Sequence, residues 1–525
     1  MAVILAITMA LLTLDQMLRR HAIELGAKTA LQDASTSLTY SELERRARQV
    51  AQGLLAAGVA SGDRIAYLGK NTLAYFEYFL GAAKIGAVTV PINWRLAPPE
   101  IAQIMRNAGP RVVLAEEPFA AVATAAAPES RQLVTGAHHD TYGDWRERQA
   151  DLDTPAITDW NQPLLQMYTS GTTGKAKGAV LTHRNLFALR AQQRALPEWY
   201  RWDPQDVSLI AMPAAHVSGT GWAIWTLQHG ATGVVAREFA PIAVLEQMLQ
   251  HRINKIMMVP TALQIAVRHP RARGSDFNFL RYIYYGGAPL PQALLAESVE
   301  VFGCGFVQMY GMTETAGTIV ALSPEDHYAA GGARTRSVGR ALEGVELRIV
   351  DEHGTVLPPG STGEIVTRSV ANMAGYFRMP EATADTIDNE GWLRTGDAGY
   401  LDPEGYLYLQ DRVKDMIISG GENIYPAEVE NAIFGHPAVA EVAVIGVPDE
   451  KWGESVKAVI VPVTGAERND AEILAWATAR IARYKVPKSI EWVTSLPRGH
   501  TGKVLRRVLR DAYRRSPRSP DTQQP

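Results

Sequence analysis

The sequence predicts an α/β fold. It comprises a large N-terminal domain of mostly parallel sheets flanked by helices plus a β-rich subdomain, and a small α+β C-terminal domain. Two observations carry that prediction. From about Thr39, short apolar strand-like runs alternate with stretches of helical spacing, the pattern of crossover units in a buried sheet. After about Gly339 the spacing changes to strand-like runs separated by turn signals.

Taken in order, residues 40–58 have helical spacing, 64–68 read as a strand and 74–85 as a second helix. Residues 115–127 are alanine-rich, which predicts a surface helix or connector. Residues 207–212, 255–259, 282–285 and 306–309 are short apolar strands with helical stretches between them. In the β-rich subdomain, about 339–412, strands are expected at 345–350, 363–367 and 406–410. The N-terminal domain is therefore 1–412. The C-terminal domain, 413–525, is expected to hold a helix at 426–434, strands at 442–446 and 456–462, and a helix at 471–483. The polar, proline-rich residues 516–525 are expected to be disordered. No internal repeat is evident.

Composition excludes some functions. With 46% hydrophobic and 20% charged residues and a net charge of −3, the chain lacks the basic excess of a nucleic-acid binder. Its single cysteine, Cys304, excludes an intramolecular disulfide and a cysteine-cluster metal site, and fits a reducing cytoplasm. Residues 2–12 are apolar, but no Lys or Arg precedes them and no small-residue cleavage site follows before Asp15. The run is too short to span a bilayer, so a docked helix or an upstream start codon, with Met9 the alternative start, is expected. Nothing else reaches the length of a membrane span, which leaves only peripheral membrane contact. No residue pattern chooses between a monomer and a homodimer.

The most informative segment is Tyr168-Thr-Ser-Gly-Thr-Thr-Gly-Lys-Ala-Lys-Gly178, placed where a strand at Leu164 and Leu165 would end. Glycines allow close approach to a phosphate, hydroxyls and backbone N–H groups donate to it, and Lys175 and Lys177 add positive charge. The Walker spacing fails, because Gly171 would need a glycine at position 176, where Ala176 stands. By composition alone the stretch also fits a flexible linker.

The segment closely resembles the signature loop of the adenylate-forming superfamily: acyl-CoA synthetases, peptide-synthetase adenylation domains and firefly-type luciferases. Ala176 replaces the usual proline, a change in loop stiffness more than in chemistry. Other stretches carry the resemblance from Tyr168 to Lys503, most of the chain. The loop residues Thr169, Ser170, Gly171, Thr172, Thr173, Gly174 and Lys177 are then implied to bind ATP phosphates. Tyr310-Gly-Met-Thr-Glu-Thr315 implies Tyr310 stacking on adenine, Thr313 on phosphate and Glu314, with Thr172, on Mg²⁺. By the same resemblance Gly286-Gly287-Ala288-Pro289 would line the other adenine face, and Asp397 in Trp392-Leu-Arg-Thr-Gly-Asp397 would accept from the ribose hydroxyls. The resemblance implies that His216 stands near the carboxylate substrate and α-phosphate; read alone it would be a packing residue. His138 and His139 read as a loop.

In Asp411-Arg-Val-Lys-Asp-Met-Ile-Ile-Ser-Gly-Gly-Glu-Asn-Ile-Tyr-Pro-Ala-Glu-Val-Glu430, the resemblance assigns Arg412 to the ribose and Lys414 to the hinge of a mobile C-terminal domain. Gly420 and Gly421 would face a pantetheine tunnel, with Trp452 a further contact, while Glu428 and Glu430 read as a solvated helical face. Lys503 in Leu496-Pro-Arg-Gly-His-Thr-Gly-Lys503 resembles the catalytic lysine that bridges carboxylate and α-phosphate. The following Arg506, Arg507, Arg510, Arg514 and Arg515 read as a basic solvated face.

The resemblance implies an acid–CoA ligase. A carboxylate attacks the α-phosphate of ATP, pyrophosphate leaves, and coenzyme A takes the acyl group from acyl-AMP. Lys503, His216, Thr313 and Glu314 are the catalytic candidates, and ATP, Mg²⁺ and coenzyme A the cofactors. Val217, Trp222, Tyr285, Gly286, Met309, Gly311 and Met312 would line an apolar pocket for a fatty, aryl or arylpropenoic acid. The overall look is that of bacterial fatty-acyl and feruloyl-type ligases. The alternative is a stand-alone adenylating enzyme that passes the acyl group to a carrier protein.

Overall fold

The computed structural model describes residues 12–169, 176–190, 196–287, 290–328, 334–412, 415, 417–419, 422–424, 426–449, 452–481, 483–498 and 504–514. Two compact units divide the chain. One comprises 1–347 and 367–393, the other 348–366 and 394–525.

The first unit is built on two sheets. In the seven-stranded one the order is Gly375–Tyr376, Lys177–Thr182, Pro163–Thr169, Val88–Ile92, Arg64–Leu68, Val112–Glu116, Arg131–Thr135. From Pro163–Thr169 through Arg131–Thr135 the neighbours run parallel, while Pro163–Thr169 and Lys177–Thr182 form an antiparallel hairpin. The nine-stranded sheet has at its centre the parallel run Gly305–Met312, Tyr282–Gly286, Lys255–Met258, Val207–Ile210, Thr232–Val235. Helices Pro241–Gln250, Pro260–Arg268 and Gln292–Phe302 bury Leu245, Met248, Leu263 and Leu295 in a core shared with Ile256, Ile283 and Tyr285. Their amphipathic spacing against a strand period of two produces that layer.

Local rules account for the helix starts. Thr39 caps Tyr40–Ala56, its hydroxyl accepting from the Glu42 N–H at 3.2 Å while the Glu42 carboxylate accepts from the Thr39 N–H at 2.8 Å. Leu73–Lys84, buried along its whole length, starts at the Thr72 cap.

Three expectations are corrected. The alanine-rich stretch is only in part the surface helix expected. Ala115 belongs to the buried strand Val112–Glu116, and the short helix Ala120–Ala126 buries Ala123 and Ala126, because alanine fits close to the sheet. The strand before the phosphate loop does not end at Leu165 but continues to Thr169. The helix expected at 471–483 ends at Thr478, whose hydroxyl donates back to the Leu474 carbonyl at 2.7 Å, and a 3₁₀ turn follows at Arg483–Lys485.

The four-stranded sheet has the order Val345–Val350, Gly363–Ser369, Leu393–Leu401, Leu407–Arg412. In the second unit, helix Pro426–Phe434 and helix Asp470–Thr478 bury Val429, Ile433, Ile473 and Ala477 against Val444, Val456 and Ile460 of the Val439–Asp449 and Gly453–Pro462 hairpin. Among the described residues no helix is long and apolar enough to cross a membrane.

Candidate active site

His216 sits on a turn between strand Val207–Ile210 and helix Trp222–Gln228. Buried side chains pin that turn. Asn71 accepts from the Ala214 N–H at 2.8 Å and donates to the Met212 carbonyl at 3.0 Å, and the Thr220 hydroxyl donates to the Ala214 carbonyl at 2.7 Å. The following residues, Val217–Gly221, form a π-turn. A Cβ on Gly219 would lie 2.1 Å from the Pro213 carbonyl oxygen, so only glycine fits there. The His216 Nε2 lies 3.3 Å from the Asn93 amide nitrogen, and the Asn93 oxygen accepts from the Arg95 N–H at 2.9 Å. That second bond fixes the amide orientation, so Asn93 donates and Nε2 accepts, which places the imidazole proton on Nδ1.

Glu314 comes from the turn after strand Gly305–Met312. A 3₁₀ turn, Thr313–Thr315, is stapled by the Thr315 hydroxyl, which accepts from the Met312 N–H at 3.0 Å and donates to the Gly317 carbonyl at 2.8 Å. The carboxylate is buried, and both its hydrogen bonds fall on Oε1, from the Thr169 hydroxyl at 3.0 Å and the Tyr376 hydroxyl at 2.9 Å. The Lys177 ammonium lies over the Tyr376 ring, 4.8 Å from its centre. Burial first, then the Glu314 charge, pushes the Tyr376 phenol well above its ordinary pKa, so it stays a donor. The structure thus unites Thr169 and Lys177 with Glu314, 145 positions beyond Thr169, around a tyrosine that sequence reasoning did not single out.

The predicted acyl residues partly gather. Gly286 pairs with Met309, and Gly311 and Met312 pair with Thr318 and Gly317. A Cβ on Gly311 would lie 1.8 Å from the Gly317 carbonyl oxygen, and Val217 Cγ2 lies 3.6 Å from the Cβ position of Gly317. Val217, Gly311, Met312 and Gly317 therefore form one partly exposed shell beside His216.

Trp222 and Tyr285 are placed otherwise. Trp222 is only 3% exposed, in edge contact with Trp202, Trp225 and Tyr284 at ring separations of 5.0, 5.4 and 5.1 Å. Tyr285 packs in the helix-covered core and meets His327 Nε2 at 2.8 Å, while its neighbour Tyr284 faces the tryptophans. The strand alternation explains this, and because both faces are buried the sequence pattern could not choose between them.

Tyr310 is buried in its strand, and Gly287 turns with φ of 79° at the end of Tyr282–Gly286. In the second unit Asp397 pairs with Arg412 across two antiparallel strands, and its N–H donates to the Thr395 hydroxyl at 3.1 Å. Trp452 is 44% exposed, on a turn held by the Asp449 carboxylate. Glu428, Glu430, Arg506 and Arg510 are not simply solvated. Lys485 holds Glu428 at 2.7 Å, Arg506 pairs with Glu430 at 2.7 Å, and Arg510 pairs with Asp415 at 2.7 Å. Ser170, Gly171, Thr172, Thr173, Gly174, Ala288, Pro289, Lys414, Gly420, Gly421 and Lys503 lie outside the described residues.

Glu314 suits a divalent cation. Among the described residues it has no cationic partner within salt-bridge distance, Oε2 takes no hydrogen bond, and no cluster of three metal-ligating side chains exists. A single hard carboxylate plus ligand phosphates is the donor set Mg²⁺ prefers.

The profile of the AMP-binding enzymes matches residues 18–377, and that of their C-terminal domain matches 428–503. The chain belongs to the AMP-binding enzyme family. It is an adenylate-forming acid–thiol ligase of the AMP-forming acyl-CoA synthetase type. This AMP-binding enzyme is 39% identical to the fatty acid–[acyl-carrier-protein] ligase ScoC of Streptomyces coeruleorubidus, over 95% of this chain and 96% of that one. It is 40% identical to a feruloyl-CoA synthase from an Amycolatopsis species, over 92% and 96% of the two chains. ATP-bound MatB from Rhodopseudomonas palustris is similar in structure, with a TM-score of 0.87 and 31% identity over 96% and 99% of the chains.

Proposed function

We propose that this AMP-binding enzyme is an acid–CoA ligase that joins a hydrophobic carboxylic acid to coenzyme A through an acyl-adenylate. The observation that carries the reading is the buried Glu314 carboxylate on the turn after strand Gly305–Met312, held on Oε1 by two hydroxyls, one of them from Thr169 at the end of the strand that leads into the phosphate loop. Glu314 with Thr172 would hold Mg²⁺, which when bound would offset charge on the triphosphate. The loop 169–177 and Thr313 bind phosphates, Tyr310 and Gly287–Pro289 adenine, and Asp397 and Arg412 the ribose. The carboxylate oxygen bonds to the α-phosphorus as the bond to pyrophosphate breaks, with Lys503 and His216 beside the reacting groups. Coenzyme A then displaces AMP, with Gly420, Gly421 and Trp452 on the pantetheine and Lys414 the pivot between the two steps, at the start of a C-terminal domain 413–525. ATP and coenzyme A as co-substrates support a cytoplasmic setting.

The acid is compact, aryl or arylpropenoic in preference to long-chain. Trp222, Trp225 and Tyr284, which stand close in sequence to the Val217 turn and to Gly286, are 3%, 2% and 0% exposed and pack ring against ring, which favours a compact acid over a long chain. The likeness to a feruloyl-CoA synthase supports this. A second reading, transfer to a carrier protein, is favoured by the likeness to ScoC.

The test is pyrophosphate release across aryl, arylpropenoic and fatty acids, with coenzyme A, with a carrier protein, or with neither. Release with arylpropenoic acids, and thioester formation only when coenzyme A is present, is the expected result. ADP as product would overturn adenylation, and turnover only with the carrier protein would establish the second reading.

A further inference from the structure

We propose that Tyr376 is a positioning residue that presents one oxygen of Glu314 to the metal ion of the bound nucleotide. The inference rests on the adenylate-forming reading above. Two hydroxyls, from Thr169 and Tyr376, converge on Oε1 at 3.0 and 2.9 Å, and among the described residues Oε2 takes no hydrogen bond. A carboxylate held this way cannot turn its oxygens over without breaking both bonds at once, so its orientation is set before any ligand arrives.

Tyr376 is itself tied to the phosphate loop. With Gly375 it pairs antiparallel to Ala179 and Val180, on the strand that leaves that loop, and its N–H donates to the Thr383 hydroxyl at 2.9 Å. The Lys177 ammonium sits 4.8 Å from its ring centre. The carbonyl of Glu314 also accepts from the Met373 N–H at 2.8 Å, so the segment that carries the tyrosine grips the glutamate by main chain as well as side chain. Tyr376 therefore links the strand leaving the phosphate loop to the carboxylate, which makes metal affinity depend on one hydroxyl that touches neither substrate nor metal.

The test is Tyr376→Phe in the full-length enzyme. It removes the hydroxyl and keeps the ring beneath Lys177. Mg²⁺ is titrated at fixed ATP, read by calorimetric ATP binding and by pyrophosphate exchange with the preferred acid, and ATP binding is repeated in EDTA. We expect the Mg²⁺ midpoint to rise about tenfold in both readouts, the size expected for losing one hydrogen bond to a charged group. ATP affinity in EDTA should stay at the wild-type value. An unchanged Mg²⁺ midpoint overturns the proposal, as does an equal loss of ATP affinity with and without the metal, the mark of a merely structural tyrosine. Should the phenylalanine variant fail to fold, Thr169→Val, which removes the other hydroxyl on Oε1, must raise the same midpoint, and its failure to do so also overturns the proposal. A wild-type enzyme without Mg²⁺-dependent ATP binding would overturn the underlying reading and the tyrosine's role with it.

Discussion

Two carboxylates in the first unit, Glu77 and Glu314, are buried to nearly the same depth, 1% and 4% exposed. Their surroundings are opposite. Glu77, on the helix Leu73–Lys84, receives Arg46 at 2.7 Å on one oxygen and Arg146 at 2.6 Å on the other, with the Tyr142 hydroxyl at 3.2 Å. Among the described residues Glu314 receives two hydroxyls, both on one oxygen, and no cation. Burying an anion costs several kcal/mol unless it is compensated. At Glu77 the protein supplies the compensation itself and the group is structurally saturated. At Glu314 neutral donors orient the charge, and an oxygen is left for a ligand. An internal carboxylate without an internal cation is therefore the clearer mark of function, because nothing in the fold alone explains it.

The largest effect that would break this comparison is on stability. Glu77→Ala should destabilise the protein by about 3–5 kcal/mol, since it leaves Arg146 buried without its partner. Urea unfolding should show that loss while the remaining folded enzyme adenylates at the wild-type rate; a normal midpoint would make the two carboxylates equivalent. Glu314→Gln should do the reverse. Adenylate formation should fall by on the order of a hundredfold or more, the usual scale for losing a preorganised electrostatic group, with little change in the unfolding midpoint. Comparable losses of stability in the two variants would erase the distinction.

The smallest of the three effects concerns a buried group kept neutral. His183 Nδ1 accepts from the Leu14 N–H at 3.1 Å and so anchors the helix Leu14–Glu24, and burial lowers its pKa to about 4. Between pH 6.5 and 4 the unfolded chain binds the proton and the folded one does not. Stability should be full above pH 6.5 and fall by about 3 kcal/mol as the pH drops toward 4. His183→Asn should flatten that part of the profile in urea unfolding; a variant that keeps the slope would assign it to other groups.

The order of the elements and the place of the phosphate loop could be read from the chain, because strand and helix periods and glycine-rich turns are local. The predicted strand at 64–68 forms at Arg64–Leu68 and the predicted helix at 426–434 at Pro426–Phe434. Glu314, Thr169 and Lys177 could be named because their motifs lie within a few residues of each strand end. Other features were invisible in sequence. Asn93 follows a buried strand with nothing nearby to mark it, yet it sets the proton position on His216. Tyr376 lies in an apolar stretch, 62 residues from the glutamate it holds. Tyr284 and Tyr285 look alike, and only the packing of both sheet faces decides which one meets Trp222. Arg506 and Arg510 look like a solvated tail until Glu430 and Asp415 are brought to them.

By itself, then, the sequence determined the succession of elements, the reaction chemistry its motifs can carry, and the position of the buried acid at a strand end. The tertiary structure decided which hydroxyls orient that acid, which amide orients the histidine, and which rings pack around Trp222. The reason is physical. Periodicity and turn chemistry act over a few residues, whereas hydrogen bonds between residues 62 to 145 positions apart exist only once the sheets have set those residues side by side.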